Sequence, residues 1–128
     1  MSVSTNIFLF PHQDDEIGVF NELSNKIFNR EDVWCVYLTD GGVKAEQRNK
    51  ESLRVLKKIG IKPEQILFQG QTLDIKDGTL ANNLKLATDW LLPFIQSLGD
   101  IERIYVPAWE GGHPDHDALH ALTIVTAN

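Results

Sequence analysis

The chain has 128 residues, of which 42% are hydrophobic and 23% are charged, and its net charge is −6. This composition excludes a disordered, collagen-like or low-complexity chain, and the acidic balance argues against nucleic-acid binding. No apolar run approaches the ~20 residues that cross a bilayer. The N-terminus has no basic signal segment, and Cys35 is the single cysteine. We therefore expect one domain over residues 1–128, located in the cytoplasm.

The hydrophobic pattern predicts strands that alternate with helices. Short runs of apolar, β-branched and aromatic residues predict buried strands, and apolar residues spaced three or four apart predict helices. In chain order the prediction is strand 5–10, helix 16–28, strand 33–38, helix 44–59, strand 65–69, loop 70–79, helix 80–98, strand 103–107 and a last helix from about Asp115. Pro93 predicts a kink or a break in the helix 80–98.

This alternation predicts an α/β fold, a Rossmann-like doubly wound parallel sheet with helices on both faces. The natural strand order is 3-2-1-4, which makes the first and fourth strands neighbours. The loops after these two strands then meet at the switch point, where ligands of such sheets bind. Topology alone should bring together five residues of these loops: His12, Asp14, Asp15, His113 and His116.

The spacing within each loop favours a metal site. His12 and Asp15 are three residues apart, and so are His113 and His116. Two histidines and a carboxylate are a common way to hold a catalytic zinc with one open position. A neighbouring carboxylate could take a proton from water, and Asp14 and Asp15 supply one carboxylate for each role. Alone, each short motif is more typical of a surface or helix-cap role.

The chain resembles the PIG-L/LmbE-like family of zinc-dependent N-deacetylases. Residues 12–16 read His-Gln-Asp-Asp-Glu where the family has His-Pro-Asp-Asp-Glu, and residues 113–116 read His-Pro-Asp-His. The family's Thr-Asp-Gly turn is similar to residues 39–41, and its Arg-x-x-Glu is similar to residues 48–51. These matches follow the family's order and span nearly the whole chain.

The resemblance implies a role for each matching residue. The zinc ligands would be His12, Asp15 and His116. Asp14 would be the general base, and His113 would stabilise the oxyanion or protonate the leaving amine. The substrate would be an N-acetylated sugar or glycoconjugate.

Two further positions complete the implied site. Asp115 would orient the imidazole of His113, and Arg48 would contact the sugar or its substituent. Gln13 departs from the family pattern, because proline would fix φ and the loop is expected to be less preorganised without it.

The chain is also shorter than typical family members, and we expect the C-terminal part of the family domain to be missing. A fourth strand left at the edge of the sheet predicts either self-association into a homo-oligomer or dependence on a partner segment. Two alternatives stay open. One is a metal-bearing binding or assembly module without activity, which the early C-terminus favours. The other is an iron(II) enzyme with two histidines and one carboxylate, which leaves Asp14 without a role.

Overall fold

The computed structural model describes residues 4–106 and 113–127. The strands β1 to β4 are Thr5–Phe10, Asp32–Tyr37, Ile66–Leu67 and Arg103–Tyr105. The helices α1 to α5 are Phe20–Phe28, Ala45–Lys58, Gln69–Thr72, Leu84–Ser97 and Pro114–Thr126. Short 3₁₀ turns at Asp15–Val19, Gly42–Lys44 and Leu80–Asn83 lead into α1, α2 and α4.

The sheet has the strand order β3-β2-β1-β4, and each neighbouring pair is parallel. This confirms the predicted fold class and the predicted order. β1 is paired on both sides, with Asn6 opposite Val33 of β2 and opposite Arg103 of β4. Because β1 and β4 run side by side in the same direction, the segments that follow them leave the sheet at one edge.

Side chains of β1 alternate between two hydrophobic cores, as expected for a strand covered on both faces. Ile7 and Leu9 belong to one core, which is completed by residues of α4 and α5. Phe8 and Phe10 belong to the other core, which is completed by residues of α1 and α2. The four side chains are at most 3% exposed. This two-sided burial fixes β1 at the centre of the molecule.

The third strand and the residues that follow it differ from the prediction. β3 has two residues instead of the predicted 65–69, and residues 69–72 form one helical turn. Gly70 explains the change, because a Cβ atom there would lie 2.3 Å from the backbone nitrogen of Thr39. The glycine lets this turn pack directly against the backbone of Thr39, just beyond β2.

The fourth helix also differs from the prediction. It begins at Leu84 and continues through Pro93 to Ser97 without a break. Pro93 is exposed, whereas Leu91 and Phe94 pack against the core and hold the helix on the sheet. β4 ends at Tyr105 rather than at residue 107, which lies outside the described residues. In the described ranges, every helix is too short or too polar to span a membrane.

Candidate metal centre

The two histidine motifs meet at the carboxyl ends of β1 and β4. His12 follows β1, and His113 and His116 lie at the start of α5, which is the first described element after β4. The ring centroid of His12 lies 5.4 Å from that of His113 and 5.6 Å from that of His116. The juxtaposition expected from the strand order is therefore observed.

The carboxylate of Asp15 lies between two of these imidazoles. Its Oδ2 atom is 3.4 Å from Nδ1 of His12 and 3.5 Å from Nε2 of His116. Two ligands of a tetrahedral zinc lie about 3.3–3.5 Å apart when each is about 2.0–2.2 Å from the ion. Asp15 also accepts a hydrogen bond of 2.9 Å from the backbone N–H of His12, which fixes the carboxylate in this position.

The opposite side of the His12 ring contacts two more carboxylates. Nε2 of His12 is 2.7 Å from Oδ2 of Asp115 and 2.9 Å from Oδ1 of Asp77. A proton on Nε2 that is donated to Asp115 leaves the lone pair of the ring on Nδ1, the nitrogen that faces Asp15. Metal-bound histidines are typically held by a carboxylate in this way. The geometry therefore fits His12 as a ligand through Nδ1.

The carboxylates around His12 favour a positive charge on its ring. Burial alone lowers the pKa of His12, but the hydrogen bonds and charges of Asp115 and Asp15 outweigh it and raise the pKa to about 9. A cation bound at Nδ1 would take the place of that proton. The electrostatics of the site are thus those of a cation-binding centre.

Asp115 is the buried anchor of this arrangement. It is 1% exposed, and its carboxylate accepts hydrogen bonds from the backbone N–H groups of Gly78 and Leu80, at 2.6 and 3.1 Å. Burial alone raises the pKa of Asp115, but the hydrogen bonds from His12, Leu80 and Gly78 outweigh it. The pKa is therefore lowered below its usual value, and the carboxylate stays ionised. We expected Asp115 to orient His113, whereas the hydrogen bonds described for it go to His12 and to the segment 78–80. The reason is that the start of α5 turns Asp115 inward, while His113 stays exposed.

Asp14 and Asp15 both lie outside the two groups of His and Asp residues whose ligand atoms all lie within 4.8 Å of one another among the described residues. The side chain of Asp14 is 55% exposed, and its Oδ2 atom is 3.9 Å from Nε of Arg48. Its backbone has φ of 74°, the left-handed conformation, whereas the next residue starts a 3₁₀ turn. This change of backbone direction separates the carboxylates of Asp14 and Asp15.

His113 gives the site a second possible donor set. Ring nitrogens of His12, His113 and His116 all lie within 4.8 Å of one another, and the centroids of His113 and His116 are 4.0 Å apart. One other group meets the same limit in the described residues, and it joins His12 to Asp77 and Asp115. The proposed set of His12, Asp15 and His116 is not among these groups, although Asp15 Oδ2 lies 3.4 and 3.5 Å from a ring nitrogen of each histidine. The predicted role of His113 beside the ligands, rather than as one of them, stays a prediction.

Arg48 is part of the wall of a polar cavity next to these residues. Its guanidinium donates hydrogen bonds to the carbonyl oxygens of Gly41 and Gln13, at 2.8 and 3.0 Å. The cavity has a volume of about 250 Å³ and is lined by His12, Arg48, Asp77, Gly78, His113, Pro114 and Asp115. Arg48 thus faces the same cavity as His12 and His113, and its predicted contact with the sugar stays a prediction.

Asp77 is a site residue that the sequence reasoning missed, since residues 70–79 were predicted only as a loop. Its backbone N–H donates to Oδ1 of Asp40 at 2.9 Å, and the same oxygen accepts the N–H of Gly42. Asp40 therefore holds Asp77 beside His12. The Asp-Gly pair at 77–78 is a turn signal that could have marked the position.

Gln13 makes side-chain contacts that were not expected from the sequence. Its side chain is 1% exposed, and its Nε2 atom donates to Oδ1 of Asn49 and, at 3.3 Å, to the carbonyl oxygen of Asp40. We expected a less preorganised loop without proline. The glutamine instead ties the loop to α2 by contacts that proline cannot make.

The fold and the site define the class of this protein, a doubly wound α/β protein with a candidate divalent-metal centre at the switch point of its sheet. A family model described as "PIG-L: GlcNAc-PI de-N-acetylase" matches residues 7–127. The chain therefore belongs to the PIG-L family, which confirms the resemblance carried by its motifs. Comparison with curated proteins gives no match.

Solved structures that share this fold include the following two. A conserved protein from Thermus thermophilus has 24% sequence identity and a TM-score of 0.71, over 94% of this chain. N,N'-diacetylchitobiose deacetylase from Pyrococcus horikoshii has 22% identity and a TM-score of 0.75, over 98% of this chain. The match covers 54% of the first protein and 49% of the second, so this chain spans about half the length of both.

Proposed function

We propose that this chain is a zinc-dependent N-deacetylase that removes the acetyl group from an amino sugar or a glycoconjugate. Membership of the PIG-L family supports the reaction class. The observation that carries the proposal is the place of Asp15 Oδ2, 3.4 Å from Nδ1 of His12 and 3.5 Å from Nε2 of His116. These three residues are the proposed zinc ligands.

Zinc, when bound there, would supply Lewis-acid activation of water and of the amide carbonyl. Residues of this chain carry out the proton transfers and stabilise the charge that develops. Asp14, beside the ligands but not among them, accepts the proton of the attacking water. His113, exposed at the polar cavity that His12 and Arg48 also line, stabilises the oxyanion or protonates the amine that leaves.

The polar cavity supports an amino-sugar substrate. Arg48 presents N–H donors at one wall, and Asp77 presents a half-exposed carboxylate at another. Hydroxyl groups of a sugar both donate and accept hydrogen bonds, so one donor and one acceptor can hold them together. We assign Arg48 and Asp77 to sugar binding on this ground.

Zinc content and acetate release test the proposal. The 128-residue chain is loaded with zinc, analysed for bound metal and assayed with N-acetylglucosamine and N,N'-diacetylchitobiose. We expect one zinc per chain and its loss in His12→Ala. His120→Ala is the matched control, because His120 lies on α5 one turn beyond His116 and outside the donor groups described for the site.

The outcomes separate the proposal from its alternatives. Full retention of zinc by His12→Ala would remove this residue from the centre. Zinc binding without acetate release would favour a binding or assembly module. Preferential loading with iron(II), with no acetate released by the zinc form, would favour the iron enzyme.

A further inference from the structure

Asp14 has a backbone conformation that needs support from its surroundings. Its φ of 74° lies in the left-handed region, which residues with a Cβ atom seldom adopt, although aspartate tolerates it better than most. Its carboxylate is 55% exposed and has one ion pair described, with Arg48 at 3.9 Å. The direction of this side chain therefore depends mainly on the backbone that carries it.

Two residues of α2 hold the peptide group between Gln13 and Asp14 from both sides. Nη2 of Arg48 donates to the carbonyl oxygen of Gln13 at 3.0 Å. Oγ of Ser52 accepts the N–H of Asp14 at 3.4 Å. Arg48 and Ser52 are four residues apart and so lie on one face of the helix. Because the peptide group is planar, two contacts at its opposite ends fix its rotation and with it φ of Asp14.

A buried carboxylate orients the hydroxyl of Ser52. The hydroxyl donates its single proton to Oε1 of Glu16 at 2.9 Å, and its lone pairs are left for the N–H of Asp14. The other oxygen of Glu16 accepts the hydroxyl of Tyr37, also at 2.9 Å. Glu16 is 2% exposed, and Ser52 and Tyr37 are fully buried. This cluster lies beneath the loop and outside the described metal-donor groups.

We propose that Ser52, oriented by Glu16, is a positioning residue that holds the backbone of Asp14 and so aims its carboxylate. The inference rests on the proposed function, in which Asp14 is the general base. Arg48 and Ser52 together form a clamp on the Gln13–Asp14 peptide group, and Glu16 keeps the acceptor side of the clamp facing Asp14.

A matched pair of variants tests the clamp. Ser52→Ala and Tyr37→Phe each remove one hydroxyl donor of Glu16, but only Ser52→Ala removes the acceptor of the Asp14 N–H. Amide hydrogen exchange of Asp14, followed by NMR, should become about tenfold faster in Ser52→Ala, the change expected for one lost hydrogen bond. It should stay at the wild-type rate in Tyr37→Phe.

The zinc-loaded chain gives a second readout. Ser52→Ala should lower kcat about tenfold with KM and zinc content unchanged, because only the orientation of the Asp14 carboxylate is lost. Tyr37→Phe should keep kcat within about twofold. A merely structural role would lower stability in both variants without this split between kcat and KM.

Each result decides a separate point. Equal exchange of the Asp14 amide in wild type and Ser52→Ala, or an equal fall of kcat in both variants, would overturn the proposal. If Ser52→Ala does not fold, the double variant Glu16→Gln, Ser52→Ala is compared with Glu16→Gln alone, since the neutral amide tolerates the lost donor better. A wild type that releases no acetate contradicts the proposed function, while the exchange measurement still decides whether the clamp exists.

Discussion

Asp14 and Asp15 are neighbours in the sequence but occupy different surroundings. Asp15 points to His12 and His116, and Asp14 points to Arg48. The left-handed backbone of Asp14 produces this separation, because it turns the chain between the two side chains. In the proposed function, these two chemically identical groups therefore have different roles, Asp15 as a ligand and Asp14 as a base.

Exchanging each carboxylate for an amide should separate these roles. Asp14→Asn should lower kcat by ~10²–10⁴-fold and keep zinc, since a general base contributes about that factor. Asp15→Asn should weaken zinc binding, because a neutral amide is a poorer ligand for a divalent cation. Zinc content and acetate release are measured for both. If Asp14→Asn lost zinc and Asp15→Asn kept it, the assignment would be reversed.

Asp115 should matter for zinc although it is not a proposed ligand. Its carboxylate holds Nε2 of His12, so Asp115→Asn should weaken zinc binding by about 10- to 100-fold. Asp77→Asn is the control, because Asp77 contacts the same nitrogen but is 43% exposed and water can replace it. Titration with a zinc-buffered indicator measures both affinities. If Asp115→Asn bound zinc as tightly as the wild type, Asp115 would not be needed to hold His12 for the metal.

At the scale of elements, the loop 12–16 is held mainly by α2. Asn49, Arg48 and Ser52 of this helix contact Gln13 and Asp14. The turn that leads into α2 contributes Gly41, whose φ of 83° favours glycine. A Cβ atom at Gly41 would lie 2.1 Å from Oε1 of Gln13. The long side chain at position 13 therefore fits because residue 41 has no side chain.

This match predicts coupling between positions 13 and 41. Gly41→Ala should destabilise the wild type through both the clash and the left-handed φ. In a Gln13→Ala background the clash is gone, and only the conformational cost of ~1–2 kcal/mol remains. Urea unfolding of the two single variants and the double variant gives the interaction energy. Strictly additive free energies would show that Gln13 and Gly41 are not in contact.

At the scale of the whole molecule, β4 lies at one side of the sheet that the described residues form. In the described residues β4 pairs with β1 alone, and its other side meets no strand. Arg103 is exposed, and Ile104 and Tyr105 are partly exposed. An open strand edge offers backbone N–H and C=O groups to another chain.

We therefore predict concentration-dependent self-association through β4. Sedimentation velocity over a wide concentration range should show a shift from monomer to a larger species. The two-residue β3 at the opposite edge offers fewer pairing groups and should contribute less. A chain that sediments as a strict monomer at every concentration would contradict this prediction.

The sequence by itself determined the strand order and the meeting of the two histidine motifs. Alternating apolar strands and amphipathic helices allow few topologies, because parallel connections have one hand and strands need cover on both faces. His12 and His113 could be placed together on this ground, although 101 positions in the sequence separate them. The motifs then indicated the family, which the family model confirms.

The tertiary structure decided how the site is held. The bond of Asp115 to His12, the approach of Asp77, and the tether of Gln13 to Asn49 join residues from different elements. Local periodicity carries no information on such contacts, because they depend on where packed elements place each side chain. Gly70 shows the same limit, since the helical turn after β3 packs closely against Thr39, a contact that the residues of the turn do not reveal by themselves.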